Sequence, residues 1–217
     1  MLRLYDYWRS GAAYRLRIGL HLKGIDYEAV PVNIFPGQDE QFGAYKDKNP
    51  QSRVPAIETE RGVIGQSLAI LEWLEDTHPE PSFFPADPWE RAEARAFATT
   101  IVADVHPFQN LSPAVYLREH FGADDEAVRD WAAHWIARGF AVLEIEQARR
   151  PERAFCFGDA PSLADICLVP QIATARRFKL DLAPYPRLMA IDERARAHPA
   201  FIAAAPENQV DAPSPDA

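Results

Sequence analysis

The sequence predicts an α/β domain over residues 1–80 and an all-helical domain over residues 89–209. Three observations carry that prediction. Up to Thr77, strand-like and helix-like stretches follow one another in the order β-α-β-α-β-β-α. Pro79, Pro81, Pro85 and Pro88 then interrupt His78–Trp89, which can continue neither a helix nor a central strand and reads as a linker over residues 81–88. Beyond it the periodic stretches have helical spacing and no convincing strand pattern returns.

The elements follow from local patterns. Leu2 and Leu4 alternate with Arg3 before Tyr5 and Tyr7, giving a first strand. A polar corner, Trp8 to Ala13, leads into a helix that turns Leu16, Ile18 and Leu20 inward and ends at Gly24. Tyr27 to Val32 is a second strand, and Pro31 marks it as an edge, because proline cannot donate to a ladder. Phe35 to Lys48 is polar, with one weak helix before Asn49. Val54-Pro55 precedes a short strand through Ala56 and Ile57, which Arg61-Gly62 returns through Val63 and Ile64. Gln66-Ser67 opens a helix carrying Leu68, Leu71 and Leu74, with Ser67 at the expected N-cap. This order is a thioredoxin-like arrangement.

In the second domain, Phe83 and Phe84 are expected to pin the linker to the protein body. Helices are expected over Glu90–Asn110, Ser112–Phe121, Glu126–Gln147 and Ser162–Ala175. Trp131 and Trp135 share a helix face and read as core. Ser162-Leu163-Ala164-Asp165 resembles a capping box with Asp in place of Glu or Gln. Pro186, Pro199 and Pro206 punctuate the last short helices, and residues 210–217 read as a flexible tail.

Composition narrows the function classes. At 217 residues, 47% hydrophobic and 25% charged, the chain can build a sizeable core and is not disordered. A net charge of -9 disfavours nucleic acid and anionic membrane as partners, so any anionic ligand needs a local positive cluster. The start lacks a signal peptide's apolar stretch, and no apolar run reaches transmembrane length. Cys156 and Cys167 form no CxxC and lie in apolar surroundings, so both are expected to be buried and inert, in a reducing cytoplasm. The six histidines show no metal-ligand spacing, and no metal is expected.

One stretch carries binding chemistry by itself. A strand that begins at Val54-Pro55 leaves neighbouring backbone groups free for an extended peptide. The helix start at Gln66-Ser67 offers free N–H groups and partial positive charge to a carboxylate. Gly65-Gln66-Ser67-Leu68-Ala69 also admits a rival reading as a hydrolase nucleophile elbow, although that fold needs a larger parallel sheet than four short strands.

The stretch Asn49–Trp73 resembles the glutathione-binding half-site of the glutathione transferases, where Val-Pro precedes the third strand and Gln-Ser opens the third helix. The resemblance sharpens to their zeta class, which includes the maleylacetoacetate and maleylpyruvate isomerases. It runs from about Leu2 to Phe201 and is carried by Arg9-Ser10-Gly11-Ala12-Ala13-Tyr14-Arg15-Leu16-Arg17-Ile18, His106-Pro107-Phe108-Gln109-Asn110-Leu111, Leu168-Val169-Pro170-Gln171 and Arg177-Phe178-Lys179-Leu180-Asp181-Leu182. The class hallmark, Ser-Ser-Cys-x-x-Arg-Val-Arg-Ile, is matched at Ser10, Arg15 and Arg17. Gly11 and Ala12 replace its second Ser and its Cys, which removes any role for a cysteine.

The resemblance implies a glutathione transferase fold, glutathione as cofactor, a small dicarboxylic keto acid as substrate, and a homodimer. It implies a cis–trans isomerase of aromatic-compound or tyrosine catabolism that works by reversible thiolate addition to a cis double bond. Val54, Pro55, Gln66 and Ser67 would bind glutathione. Pro107 would kink its helix and aim His106 and Asn110 at glutathione as well. Arg9 and Arg177 would hold substrate carboxylates bidentately, and Arg15 would act at the catalytic corner. A free thiol has a pKa of about 8.5, so a hydroxyl at Ser10, beside a helix N-terminus, would stabilise the reactive anion. Ser10 could equally cap its helix. Tyr5, Tyr7 and Tyr14 are alternatives, because a tyrosine activates the thiol in other classes. Two other functions stay open: a transferase that conjugates or dehalogenates electrophiles, and a non-catalytic glutathione-binding protein.

Overall fold

The computed structural model describes residues 1–34 and 40–214. The chain forms two compact units, one of Met1–Ser82 together with the segment from Ala197 on, the other of Phe83–Arg196. No helix among the described residues is long and apolar enough to cross a membrane.

The first unit runs β1 (Leu2–Asp6), α1 (Gly11–Leu22), β2 (Tyr27–Pro31), α2 (Glu40–Lys48), β3 (Ala56–Thr59), β4 (Gly62–Gly65) and α3 (Ser67–Thr77). The expected weak helix is α2, and the expectation for Phe35–Asp39 falls outside the described residues. The sheet order is β2-β1-β3-β4, with β1 parallel to β2 and antiparallel to β3, and β4 antiparallel to β3. Pro31 therefore lies on an edge strand, where its missing donor is tolerated. Gly24, at φ 64°, closes α1 in the left-handed conformation that other residues adopt at a cost. The β3–β4 turn is Glu60-Arg61, one residue earlier than expected, and Gly62 supplies a φ of 117° at the start of β4.

Strand alternation builds two apolar faces. Leu4 and Ile57 pair across β1 and β3 and are fully buried, as are Leu16, Ile18 and Leu20 of α1 and Ile70, Leu71 and Leu74 of α3. Each such side chain contributes about 1.5–3 kcal/mol. Tyr5 and Ala56 alternate to the other face and cluster with Val32, Tyr45 of α2 and Val54.

The second unit is helical: α4 (Pro88–Thr99), α5 (Leu111–Phe121), α6 (Asp125–Ala148), α7 (Leu163–Arg177) and α8 (Pro186–Arg196). Phe83 and Phe84 do pin the linker. Both are buried, and the Arg91 and Arg95 guanidinium groups lie 4.8 and 4.2 Å from the Phe84 ring centre. The helix expected over Glu90–Asn110 is not continuous. It ends at Thr99, widens into a π-helical turn (Thr100–Val105) and tightens into a 3-10 turn (His106–Gln109). Pro107 has no N–H to continue the ladder, and the chain changes helix type around it. The π turn is packed tightly: a Cβ at Gly139 of α6 would lie 2.2 Å from Val105 Cγ2.

Trp131 and Trp135 share a face, but not a core one. Trp131 remains 36% exposed, its Nε1 donating to Phe108 O at 2.7 Å, while Trp135 stacks on Phe108. The start of α7 is as expected. Asp165 is fully buried and accepts from Ser162 N, Ser162 Oγ and Cys156 N at 2.8, 2.7 and 2.9 Å. Both cysteine side chains are buried, and burial, with Asp165 nearby, pushes the Cys156 thiol well above its usual range.

The chain's end departs from the expected 89–209 domain. A last helix, α9 (Pro199–Ala204), packs on α1, so residues from Ala197 on belong to the first unit. Buried Phe201 and Ala204 and a buried charge hold it there. Arg17, wholly enclosed in α1, donates from Nη1 to Asp6 Oδ1 and Oδ2 at 2.7 and 2.9 Å. Its Nη2 donates to Trp8 O at 3.0 Å and its Nε to Ala204 O at 2.9 Å. The expected flexible tail is also tied at its start, where Asp211 Oδ2 accepts from Trp8 N at 2.9 Å.

Arg17→Met leaves the Asp6 carboxylate buried without its cation, a change that costs about 3–5 kcal/mol. Urea unfolding is expected to show that loss, and the double variant Arg17→Met/Asp6→Leu should recover part of it. A loss below about 1 kcal/mol would mean that the pair is dispensable.

Candidate functional site

Within the first unit, the sheet register gathers three chain segments at one edge that runs across the strand ends, not along an outer strand. Tyr5 pairs with Ala56, and Ala56 pairs with Gly65. The end of β1, the start of β3 and the end of β4 are therefore neighbours. From them the chain continues into the Tyr7–Ser10 corner, arrives through Val54-Pro55, and leaves into Gln66-Ser67.

Ser10 is the N-cap of α1. Its Oγ accepts from Ala13 N at 3.2 Å, its N–H donates to Tyr7 O at 2.9 Å, and its C=O accepts from Tyr14 N at 2.9 Å. Capping uses a lone pair of the hydroxyl and leaves its hydrogen to be donated elsewhere. The two roles foreseen for Ser10 are thus compatible. Gly11, the first helical residue, adds no side chain of its own, and Ala12 adds only a methyl.

At the start of α3 the expectation needs correcting. Ser67 is the first helical residue, not the N-cap. The N-cap is Gln66, at φ 70° and ψ 109°, a left-handed conformation uncommon for a residue with a Cβ. It makes no side-chain capping bond, and the first turn holds no acidic residue. By contrast Ser10, Asp87, Asn110 and Asp124 cap their helices with side-chain oxygens. The first N–H groups of α3 and its dipole are left for an anion from outside the helix.

The loop that leads into β3 is shaped by Asn49. Its Nδ2 donates to Tyr45 Oη and Arg53 O, both at 2.9 Å, and its Oδ1 accepts from Gln51 N at 3.3 Å. Gln51 Oε1 in turn accepts from Gln66 Nε2 at 3.0 Å, so one loop fixes both approaches to the edge. The Val54–Pro55 bond is cis. The Val54 side chain belongs to the apolar cluster, so only its backbone can serve a ligand.

The structure thus brings Ser10, Val54, Pro55, Gln66 and Ser67 to one edge, with Arg9 exposed beside Ser10 and 5.7 Å from the Trp8 ring centre. Arg15 does not join them at the surface. It is 1% exposed, and its Nη1 donates to Ser67 Oγ at 3.3 Å. That bond disfavours the nucleophile-elbow reading, since a guanidinium cannot take a proton from the serine, and the sheet has four strands among the described residues. Tyr5 and Tyr14 are committed elsewhere: Tyr5 Oη donates to Glu58 Oε2 at 2.5 Å and Tyr14 Oη to Phe201 O at 3.5 Å. Burial first, and the Glu58 carboxylate next, push the Tyr5 phenol up, away from any role as a neutral-pH acid.

In the second unit, His106 opens the 3-10 turn, with its Nδ1 3.4 Å from Gln109 Nε2. Gln109 and Gln171 exchange amide hydrogen bonds at 2.9 and 3.0 Å, a buried pair that the sequence reading missed. Asn110 Oδ1 accepts from Leu111 N at 2.8 Å and caps α5. Arg176 and Arg177, both in the last turn of α7, diverge. Arg176 pairs with buried Asp192, whereas Arg177 is exposed, its guanidinium 5.1 Å from the Phe178 ring centre. Asn49 and Gln51 also went unforeseen. A turn at Asn49-Pro50 is legible in sequence, but not the polar partners that it would meet.

Comparison with known proteins follows this geometry. Residues 4–82 match the family "Glutathione S-transferase, N-terminal domain". A maleylpyruvate isomerase from Ralstonia sp is 45% identical over 97% of this chain and 99% of its own. A holo structure of maleylpyruvate isomerase, described as a bacterial glutathione S-transferase of the zeta class, superposes with a TM-score of 0.93 at 44% identity, covering 97% of this chain and 100% of that one. A maleylacetoacetate isomerase structure from Anaeromyxobacter dehalogenans, with dicarboxyethyl glutathione and citrate in its active site, gives a TM-score of 0.88 at 46% identity, covering 100% and 96% of the two chains.

Asn49→Ala strips the loop of its three side-chain bonds and leaves Arg53 O with one donor fewer. A stability loss of about 1–3 kcal/mol is expected by urea unfolding. An unchanged midpoint would show that Tyr45 alone holds the loop.

Proposed function

The chain belongs to the zeta class of the glutathione S-transferases, and we propose that it is a glutathione-dependent cis–trans isomerase of maleylacetoacetate- or maleylpyruvate-type keto acids. One observation carries the reading: the register that sets the Ser10 cap, the Val54-Pro55 approach and the start of α3 at one sheet edge. These groups fit glutathione, an extended peptide with a carboxylate at each end. The backbone at Val54 suits its peptide groups, and the α3 start, without a side-chain cap, suits one carboxylate.

When bound, glutathione supplies a thiol whose anion adds reversibly to the cis double bond and so permits rotation about it. The chain's own residues prepare that chemistry. The Ser10 hydroxyl donates toward the sulfur while its lone pair caps α1, and the helix N-terminus favours negative charge there. Gln66 and Ser67 hold the carboxylate. Arg177, exposed at the end of α7, and Arg9 receive the carboxylates of the substrate. The reading extends to a homodimer in a reducing cytoplasm, and light scattering tests the dimer.

The experiment is to supply a cis keto acid of this type with far less glutathione than substrate. Complete conversion to the trans isomer with no net loss of thiol is expected. Stoichiometric loss of thiol, with a conjugate as product, would replace isomerisation by transfer.

Ser10→Ala is expected to raise the pKa of bound glutathione by about one to two units, since a hydrogen bond to an anion contributes about 1.5–3 kcal/mol and one unit is about 1.36 kcal/mol. Turnover near pH 7 should slow by about ten- to hundredfold, with little change in glutathione affinity. Ultraviolet titration of the bound thiolate, alongside rate against pH, measures this. A mutant thiolate that titrates with the wild type's would reduce Ser10 to a cap.

Arg177→Ala should raise the KM for a dicarboxylate far more than the KM for a neutral chlorodinitrobenzene. Equal effects on both substrates would assign Arg177 to the end of α7 alone.

A further inference from the structure

The zeta-class motif draws attention to Arg15, and its charge suggests a substrate contact. The geometry points elsewhere. Arg15 is 1% exposed, so its guanidinium cannot be reached by a ligand at the sheet edge without opening the unit. Its observed bond runs from α1 to the first residue of α3, Nη1 to Ser67 Oγ at 3.3 Å. Ser67 is itself 5% exposed, and its neighbour Gln66 is held by Gln51.

We propose that Arg15 is a positioning residue that acts through Ser67, fixing that hydroxyl as a donor to the glutathione carboxylate received by α3. The inference rests on the glutathione reading given above. Its logic is one of hydrogen-bond direction. A serine hydroxyl can donate or accept, and in a ligand-free pocket it can turn its hydrogen toward any nearby acceptor. A guanidinium has five N–H donors and no lone pair to offer. Ser67 must therefore accept from Arg15, and its single hydrogen has to point elsewhere. The N-terminus of α3 consists of N–H groups, which are not acceptors either. An incoming carboxylate is the acceptor that completes the set. Lysine at position 15 would keep the charge but has a compact, rotatable head on a flexible stem, and so would hold the hydroxyl less firmly.

The test is a double-mutant cycle on glutathione affinity, measured by calorimetry for the full chain, Arg15→Met, Ser67→Ala and the double variant. Each single change is expected to weaken binding by about tenfold, the worth of one charge-assisted bond. The double variant should bind no more weakly than the poorer single one, because Arg15 acts only through the Ser67 hydroxyl. The pKa of the bound thiol should not move in either variant, in contrast to Ser10→Ala. KM for a dicarboxylate and for a neutral electrophile should keep the same ratio.

Multiplying losses in the double variant would overturn the proposal, as would an Arg15→Met enzyme that binds glutathione normally but has a raised KM for the dicarboxylate alone. Circular dichroism shows whether Arg15→Met is folded. If it is not, Arg15→Lys takes its place, with a weakened affinity expected in the Ser67 background and none beyond that of Ser67→Ala in its absence. Two glutathione analogues, each lacking one of the two carboxylates, give an arm free of Arg15 variants. One of them should bind the full chain and Ser67→Ala equally, and a difference that persists with both would sink the proposal. Failure of the unsubstituted chain to bind glutathione would instead remove the function itself, and the proposal with it.

Discussion

A guanidinium sealed inside a protein must find an acceptor for most of its donors or cost several kcal/mol. Arg17 meets that demand with the Asp6 carboxylate, the Trp8 carbonyl and the Ala204 carbonyl, groups that come from a strand end, a loop and the last helix. The first unit is assembled around this requirement. Asp6 ends β1, Trp8 lies two residues before the Ser10 cap, and Ala204 ends α9. The corner that presents Ser10 is therefore held by a charge that never touches a ligand. Specificity of arrangement, more than net stability, is what such a pair supplies, since an apolar replacement of both partners is often no worse.

The sheet edge shows the opposite economy. At α1, α4, α5 and α6 side-chain oxygens cap the helices, but α3 begins with a glutamine in a left-handed conformation and no capping bond. A backbone in a sparsely populated region persists only where its surroundings fix it, and here the Gln51–Gln66 bond and the Asn49 loop do so. The unit forgoes a local side-chain cap and keeps the helix end uncapped. Function at this edge is thus bought from structure built one layer behind it.

What could be read from sequence was local in origin. The β-α alternation, the edge placement of Pro31, the Ser162–Asp165 helix start and the Ser10 cap each depend on neighbours a few residues away. What could not be read depends on distant partners. The direction of Arg15 is set by Ser67, and the position of the chain's end by Arg17, both across long sequence separations. Helical periodicity hid the π turn, because a single widened turn barely disturbs the apolar pattern from Ile101 to Val105. Trp131 misled for a related reason. Its spacing gave the correct face, but spacing does not tell how deeply a face is buried. Of the candidate site, the Ser10 cap was legible, whereas the bonds of Gln66 and Ser67 to distant partners were not.

The return of α9 to α1 also bears on how the protein is made. A chain emerges from the ribosome N-terminus first, and domains tend to fold as their last residue appears. Phe83–Arg196 is contiguous and complete before α9 is synthesised, whereas the unit that starts the chain lacks Ala204 and Asp211 until after that. Arg17 and Asp6 thus wait, made early and enclosed late. The half of the molecule that carries Ser10 is the last to close, because its enclosure waits for residues made after the whole of the helical unit.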